Sequence, residues 1–217
     1  MTDSLEWNRR KFIKSAAIVG AVPFVSGGSM AQQSGPSQRG LSGVVPRKPL
    51  GRTGLQVSAM GLGGYHLGSA ETDQAANEIV AKAIDHGINF FDNAWEYHDG
   101  LSEERLGKAL KGKRDQAVLM TKVCTHGREK KIAMRMLEES LRRLQTDHLD
   151  VWQIHEVVYE NDPDLIFAEN GAAEALLAAK QQGKVRFVGF TGHKDPEIHL
   201  KMLSRDFPFD TIQMPLN

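Results

Sequence analysis

Phe90-Phe91-Asp92-Asn93-Ala94-Trp95-Glu96-Tyr97 ends a run of large apolar residues on a carboxylate and reaches a tyrosine five positions later. The apolar part, Ile88–Phe91, reads as a short buried strand. Outward from it the same motif recurs, with strands expected at Ala59–Leu62, Ala117–Lys122, Leu149–Ile154, Val185–Phe190 and Thr211–Met214. Between them lie helical stripes at three- and four-residue spacing. Ala76, Ile79, Val80, Ala83 and Ile84 form one, closed by Gly87; Ile132, Met136, Leu137, Ser140, Leu141 and Leu144 form a longer one. A third helix runs from about Ala172 to its stop at Gly183, and a fourth opens on Pro196, a residue suited to a first helical turn.

Strand starts recur roughly every 25 to 36 residues, the length of a βα unit. Such units build an open doubly wound sheet or a closed (β/α)8 barrel. Asp92, Lys122, His155, Thr191 and Gln213 fall at or just past the C-terminal ends of different strands, which is how a barrel assembles an active site at its rim. An open sheet gathers its site at one switch point instead. Lys48-Pro49-Leu50-Gly51 followed by Gly54-Leu55-Gln56-Val57 reads as a β-hairpin capping the other end. The expectation is an α/β fold of the (β/α)8 TIM-barrel type, with about six of eight βα units in residues 47–217. Gly61-Leu62-Gly63-Gly64 is not a dinucleotide fingerprint, since the sixth position is His66 rather than Gly or Ala.

The chain has 217 residues, with 27 basic against 27 acidic, so no net field draws it to nucleic acid or an anionic membrane. Apolar residues make up 41%, enough for a sizeable core. Cys124 is the single cysteine, which excludes an internal disulfide and a multi-cysteine zinc site. The first 31 residues read as a signal. Asn8-Arg9-Arg10-Lys11-Phe12-Ile13-Lys14 precedes a short apolar run, Ala16 to Val25, and Ser29-Met30-Ala31 offers a cleavage site. This resembles a twin-arginine signal, and implies the export machinery as a partner and a periplasmic destination. Without its four basic and two acidic residues the remaining chain holds 23 against 25, a net charge near −2. Residues 32–46, rich in Gln, Ser, Gly and Pro, read as a flexible linker.

The motifs in order carry a resemblance to the aldo-keto reductases. Asp92, Tyr97, Ser102-Glu103, Leu106-Gly107 and Ala109-Leu110 resemble that family's signature around its tyrosine. Met120-Thr121-Lys122 and Gln153-Ile154-His155 resemble its lysine and histidine segments, and Lys48–Gly54 with Leu55-Gln56-Val57-Ser58 its hairpin. The resemblance covers about residues 48–217 and implies reduction of an aldehyde or ketone, a small carbonyl substrate, by hydride from NADPH or NADH, with NADP the expected cofactor. It assigns Tyr97 as proton donor, Lys122 as the residue that tunes it, Asp92 as the lysine's partner and His155 as orienter of the carbonyl. The chemistry is coherent: an ordinary phenol, near pH 10, gives up its proton too reluctantly, and a neighbouring ammonium lowers that value.

Cofactor contacts implied by the resemblance are Gly63, Gly64 and Tyr65 after the first strand, Asp92, Thr191, and Gln213 for the nicotinamide carboxamide. Where the family often reads Ser-Asn, this chain has Thr191-Gly192-His193, so the amide contact is missing or falls to His193. The family's barrel has eight strands and six are expected here, with the phosphate and adenosine contacts on the remaining units. On that count the chain is expected to be C-terminally incomplete, and unstable as an isolated monomer.

Taken singly, these residues have plainer readings: Asp92 and Lys122 as a loop salt bridge, Tyr97 and His155 as packing residues, Cys124 as a packed thiol. Trp95 and Trp152 read as rim and core aromatics, with Trp95 a possible pocket wall. No metal site is expected: His155-Glu156 lacks a second histidine at Tyr159, and His193 with His199 has no ligand spacing. Two further classes remain open, a non-catalytic nicotinamide-nucleotide-binding subunit (or inactive fragment) and a lyase forming a Schiff base on Lys122.

Overall fold

A computed structural model describes residues 43–215. The twin-arginine segment and residues 32–42 of the linker lie outside the described residues. The first elements are the expected hairpin, β1 (Arg47–Pro49) paired antiparallel with β2 (Gln56–Ser58). Six parallel strands follow, hydrogen-bonded in chain order: β3 (Gly61–Gly63), β4 (Phe90–Asp92), β5 (Val118–Val123), β6 (Leu149–Ile154), β7 (Val185–Thr191) and β8 (Thr211–Gln213). The helices are α1 (Gly64–Gly68), α2 (Asp73–Asp85), α3 (Leu101–Ala109), α4 (Lys130–Leu144), α5 (Asp162–Ile166), α6 (Ala172–Gln181) and α7 (Pro196–Leu203).

Local sequence sets the helix ends. Thr72 caps α2 by accepting from the Ala75 amide at 3.0 Å, and Asp195 caps α7 by accepting from Glu197 at 2.9 Å. The stripes bury as the periodicity predicts, with one departure. In α2, Ala76, Val80 and Ala83 face the core, whereas Ile79 is 43% exposed. At 100° per residue, Ile79 lies off the i, i+4, i+7 line that meets the sheet. Strands β5 and β6 are buried throughout, and Leu119, Leu137, Leu149 and Leu176 are wholly enclosed between sheet and helices. Each such side chain contributes about 1.5–3 kcal/mol relative to exposure.

The sheet is curled. Gln213, at the end of β8, donates to Asp92 Oδ2, at the end of β4, over 2.8 Å. These strands are four apart in sheet order, roughly 19 Å in a flat sheet at the usual strand spacing. At the opposite end Leu55 and Val57 of the hairpin region pack with Val118, Phe90 and Phe187 from three different strands. Strand starts therefore converge on the hairpin, and strand ends converge on a rim. Among the described residues β3 and β8 each have a single strand neighbour.

Candidate active site

Strand alternation creates the site. In β4, Phe91 is fully buried while Asp92, one residue on, turns to the other face at the strand end. Lys122, on the neighbouring β5, is 2% exposed. Its ammonium ion-pairs with Asp92 Oδ1 and donates to the Asn93 carbonyl oxygen at 2.7 Å. Asp92 thus receives Lys122 on one oxygen and Gln213 on the other.

Tyr97 begins a 3-10 turn, Tyr97–Gly100, on the loop after β4. That loop is pinned from several sides. The Asn93 amide donates to Met120 O at 2.9 Å and the Trp95 amide to Lys122 O at 3.1 Å. Arg143 Nη1 donates to Trp95 O at 2.9 Å and to buried Glu103 at 3.2 Å. His98, Asp99 and Gly100 are left-handed in succession, at φ 52°, 55° and 92°. Only the glycine adopts that conformation without cost; a non-glycine residue there costs about 1–2 kcal/mol. A Cβ on Gly100 would also lie 2.3 Å from the Arg143 guanidinium carbon.

Tyr97, Lys122, His155, Thr191 and Gln213 line one recess of about 330 Å3 with Glu156, Gly192, His193, Met214 and Pro215. The Tyr97 ring centroid lies 5.8 Å from that of His155 and 5.4 Å from Lys122 Nζ. Gly63, Gly64 and Tyr65 are not part of its lining. Gly63 pairs in register with Asp92, a Cβ on it would meet nothing within 4 Å, and exposed Tyr65 sets its ring edge-on to Tyr97 at 5.5 Å. Trp95 is not a wall of the recess: its Nε1 donates to Glu139 at 2.8 Å and Arg143 lies over its ring. Cys124 is a packed thiol, 3.8 Å from Met136 Sδ and pushed up by burial.

The local field on Tyr97 departs from the expectation that Lys122 lowers its pKa. Burial, and then the carboxylates of Asp92, Glu96 and Glu156, push the phenol up to about 12. Lys122 is near the ring, but its charge is balanced by the directly bonded Asp92. Three carboxylates of this environment were given no role from sequence. Glu96 bonds His155 Nδ1, Glu156 takes a left-handed turn at φ 49°, and Glu103 sits wholly buried against Thr121 and Arg143. Burial raises the Glu103 acid, against hydrogen bonds from Thr121 and Arg143 that lower it. Glu96 had a visible signal, a carboxylate beside the tyrosine; Glu103 and Glu156 have partners that are distant in sequence.

The Thr191-Gly192 departure has a structural counterpart. A Cβ on Gly192 would lie 2.1 Å from His199 Nε2 and 2.7 Å from the Val157 carbonyl oxygen. The imidazole of His199 fills the space that an asparagine would need. Thr191 Oγ1 accepts from the Glu156 amide at 2.9 Å.

A sequence profile described as the Aldo/keto reductase family matches residues 59–217. The chain belongs to the aldo-keto reductase family. It is 38% identical over 156 residues to L-galactose dehydrogenase of Arabidopsis thaliana, covering 67% of this chain and 48% of that one. Among solved structures it resembles the holo form of a Bacillus halodurans aldo-keto reductase, with TM-score 0.69 and 31% identity over 79% of this chain and 58% of the other. It also resembles a Klebsiella pneumoniae aldo-keto reductase in complex with NADPH, with TM-score 0.61 and 31% identity over 74% and 54%. The chain spans about half the length of the curated relatives it matches.

Proposed function

We propose that this aldo-keto reductase chain carries the carbonyl-reducing centre of a nicotinamide-dependent oxidoreductase, with Tyr97 as proton donor. The observation that carries the reading is the convergence of Tyr97, Lys122 and His155, from three successive strand ends, on one recess, with Asp92 ion-paired to Lys122. A reduced nicotinamide, when bound, supplies the hydride. An NADP-type cofactor is favoured because the Klebsiella relative is in complex with NADPH.

The residues present suit the nicotinamide end of such a cofactor. Gln213 uses its amide nitrogen on Asp92 and keeps its carbonyl oxygen for a carboxamide N–H. The open space beside Gly63 lets a ligand approach backbone at the end of β3. Thr191, Gly192 and His193 contribute wall rather than amide. In the recess, the Tyr97 phenol is kept protonated by burial and by its three carboxylate neighbours until a developing alkoxide offers a stronger base. Lys122, held by Asp92, keeps a positive charge beside the reacting oxygen, and His155 orients it. A Schiff-base lyase would require Lys122 to leave both Asp92 and the Asn93 carbonyl; a reductase uses it where it is.

Tyr97→Phe in the full chain tests this reading against a panel of aldehydes and ketones. Reduction is expected to fall roughly 100- to 10,000-fold while nicotinamide-nucleotide binding, followed by fluorescence titration, stays within a factor of about two. Equal turnover by parent and variant overturns the assignment, and retained binding without turnover in the parent favours the binding-subunit alternative. Export to the periplasm by the twin-arginine route is proposed on the sequence of residues 8–31 alone.

A further inference from the structure

His155 is 8% exposed and turns Nδ1 to the Glu96 carboxylate, so Nε2 is the ring nitrogen left for the recess. Glu96 Oε2 is buried with no hydrogen-bond partner, and His155 is the one side-chain partner of this carboxylate among the described residues. Ionised Glu96 only accepts hydrogen bonds, so Nδ1 must carry a proton. A neutral ring then presents a lone pair at Nε2. That lone pair matches an alcohol hydroxyl, which donates, and mismatches a carbonyl oxygen, which only accepts.

We propose that Glu96 is a positioning residue that makes ligand choice proton-linked: the Glu96–His155 pair takes up one proton from solvent when a carbonyl binds and none when an alcohol binds. The added proton completes either an imidazolium beside a carboxylate or a neutral ring beside a carboxylic acid. Both forms place N–H at Nε2. This inference rests on the reductase reading and adds to it a residue and a direction of pH dependence. Other charged groups facing the pair are Asp92 from β4, Lys122 from β5, and Glu156 and His193, whose side chains lie 3.7 Å apart. Tyr97 faces it from the same loop, Arg128 donates to the His155 backbone oxygen at 3.0 Å, and Cys124 with His126 lies beyond Glu96. Asp92 and Lys122 are mutually compensated. None of the others hydrogen-bonds the His155 ring, so Glu96 governs its tautomer.

The test is the imidazole nitrogen spectrum of the full chain labelled with 15N-histidine, with His155 assigned by its loss in His155→Asn. The neutral ring of the parent is expected to hold its proton on Nδ1. In Glu96→Gln the side-chain amide donates to Nδ1 instead, and the proton moves to Nε2. In parallel, kcat/KM for a carbonyl is expected to fall with rising pH in the parent, by up to about tenfold per pH unit, and to stay flat over the same range in the variant. A parent ring protonated at Nε2 overturns the proposal, as does a variant with unchanged tautomer and unchanged pH slope. The parent spectrum needs no variant, so a misfolded Glu96→Gln does not shield the idea. A chain that reduces no carbonyl sinks the functional reading alone, since the spectrum still tests the pair.

Discussion

At the hairpin end of the sheet Asp150 of β6 is saturated: it accepts from the Leu119 amide at 2.9 Å, from Arg114 at 3.0 Å and from Arg186 at 2.8 Å. At the rim end the polar groups are held less completely. Asn93 Nδ2, Glu96 Oε2, Gln153 Oε1 and His199 Nε2 are buried without a partner, whereas both oxygens of Asp150 are bonded. The hairpin closes its end with Leu55 and Val57, an apolar plug against three strands. One end spends its charges on holding the sheet, and the other keeps bonding capacity in reserve beside a recess. Unmet polar capacity costs stability, about 1–3 kcal/mol per buried group, and is retained where a ligand or a proton has to be met.

The largest expected effect breaks the saturated end. Asp150→Ala leaves two arginines and the Leu119 amide facing a hole, and is expected to cost about 3 kcal/mol. This is the low end of the range for breaking a buried pair, because Arg186 is half exposed. Denaturant unfolding measures it. A loss below about 1 kcal/mol would show that the hairpin end does not depend on that carboxylate.

A smaller effect is expected at the rim from Gly192→Ala. The new methyl group meets His199 and, less forgivingly, the backbone oxygen of Val157. About 1–3 kcal/mol of stability should be lost to overpacking, with weaker nicotinamide binding because Gly192 lines the recess. Unchanged unfolding would mean that the loop yields easily there, and would erase the contrast in rigidity between the two ends.

The smallest effect is a pH dependence. Burial pushes the His199 imidazole down from its usual range. Below about pH 6.5 the unfolded chain therefore takes up a proton that folded His199 resists, and stability falls as the solution is acidified. His199→Phe is expected to flatten this acid limb between pH 7 and 5, as read from denaturant midpoints. An identical acid limb in parent and variant would place the sensitivity elsewhere.

Much of this architecture was legible in the residues. Leu149–Ile154 was expected as a strand and is one, because Leu149, Val151, Trp152 and Ile154 crowd apolar and β-prone side chains into six residues bounded by polar turns. Asp92, Lys122 and His155 were expected at strand ends, and chain order alone put them on adjacent strands. The site was legible as a set of residues and much less so as a field. The expectation for Tyr97 considered Lys122 and not Glu96 or Glu156, whose distances to the phenol depend on two loops with left-handed turns.

By itself, then, the sequence determined the alternation of strand and helix, the parallel order of the units and the identity of the reactive groups, since hydrophobic period and strand polarity are local properties of the chain. Only the tertiary structure decided that β4 and β8 curl together to join Gln213 to Asp92, that Glu96 faces His155 across 59 residues of chain, and that His199 fills the space beside Gly192. Those contacts depend on sheet curvature and on side-chain volume in loops, where distances of a few ångströms set hydrogen bonding and charge. No spacing along the chain encodes them.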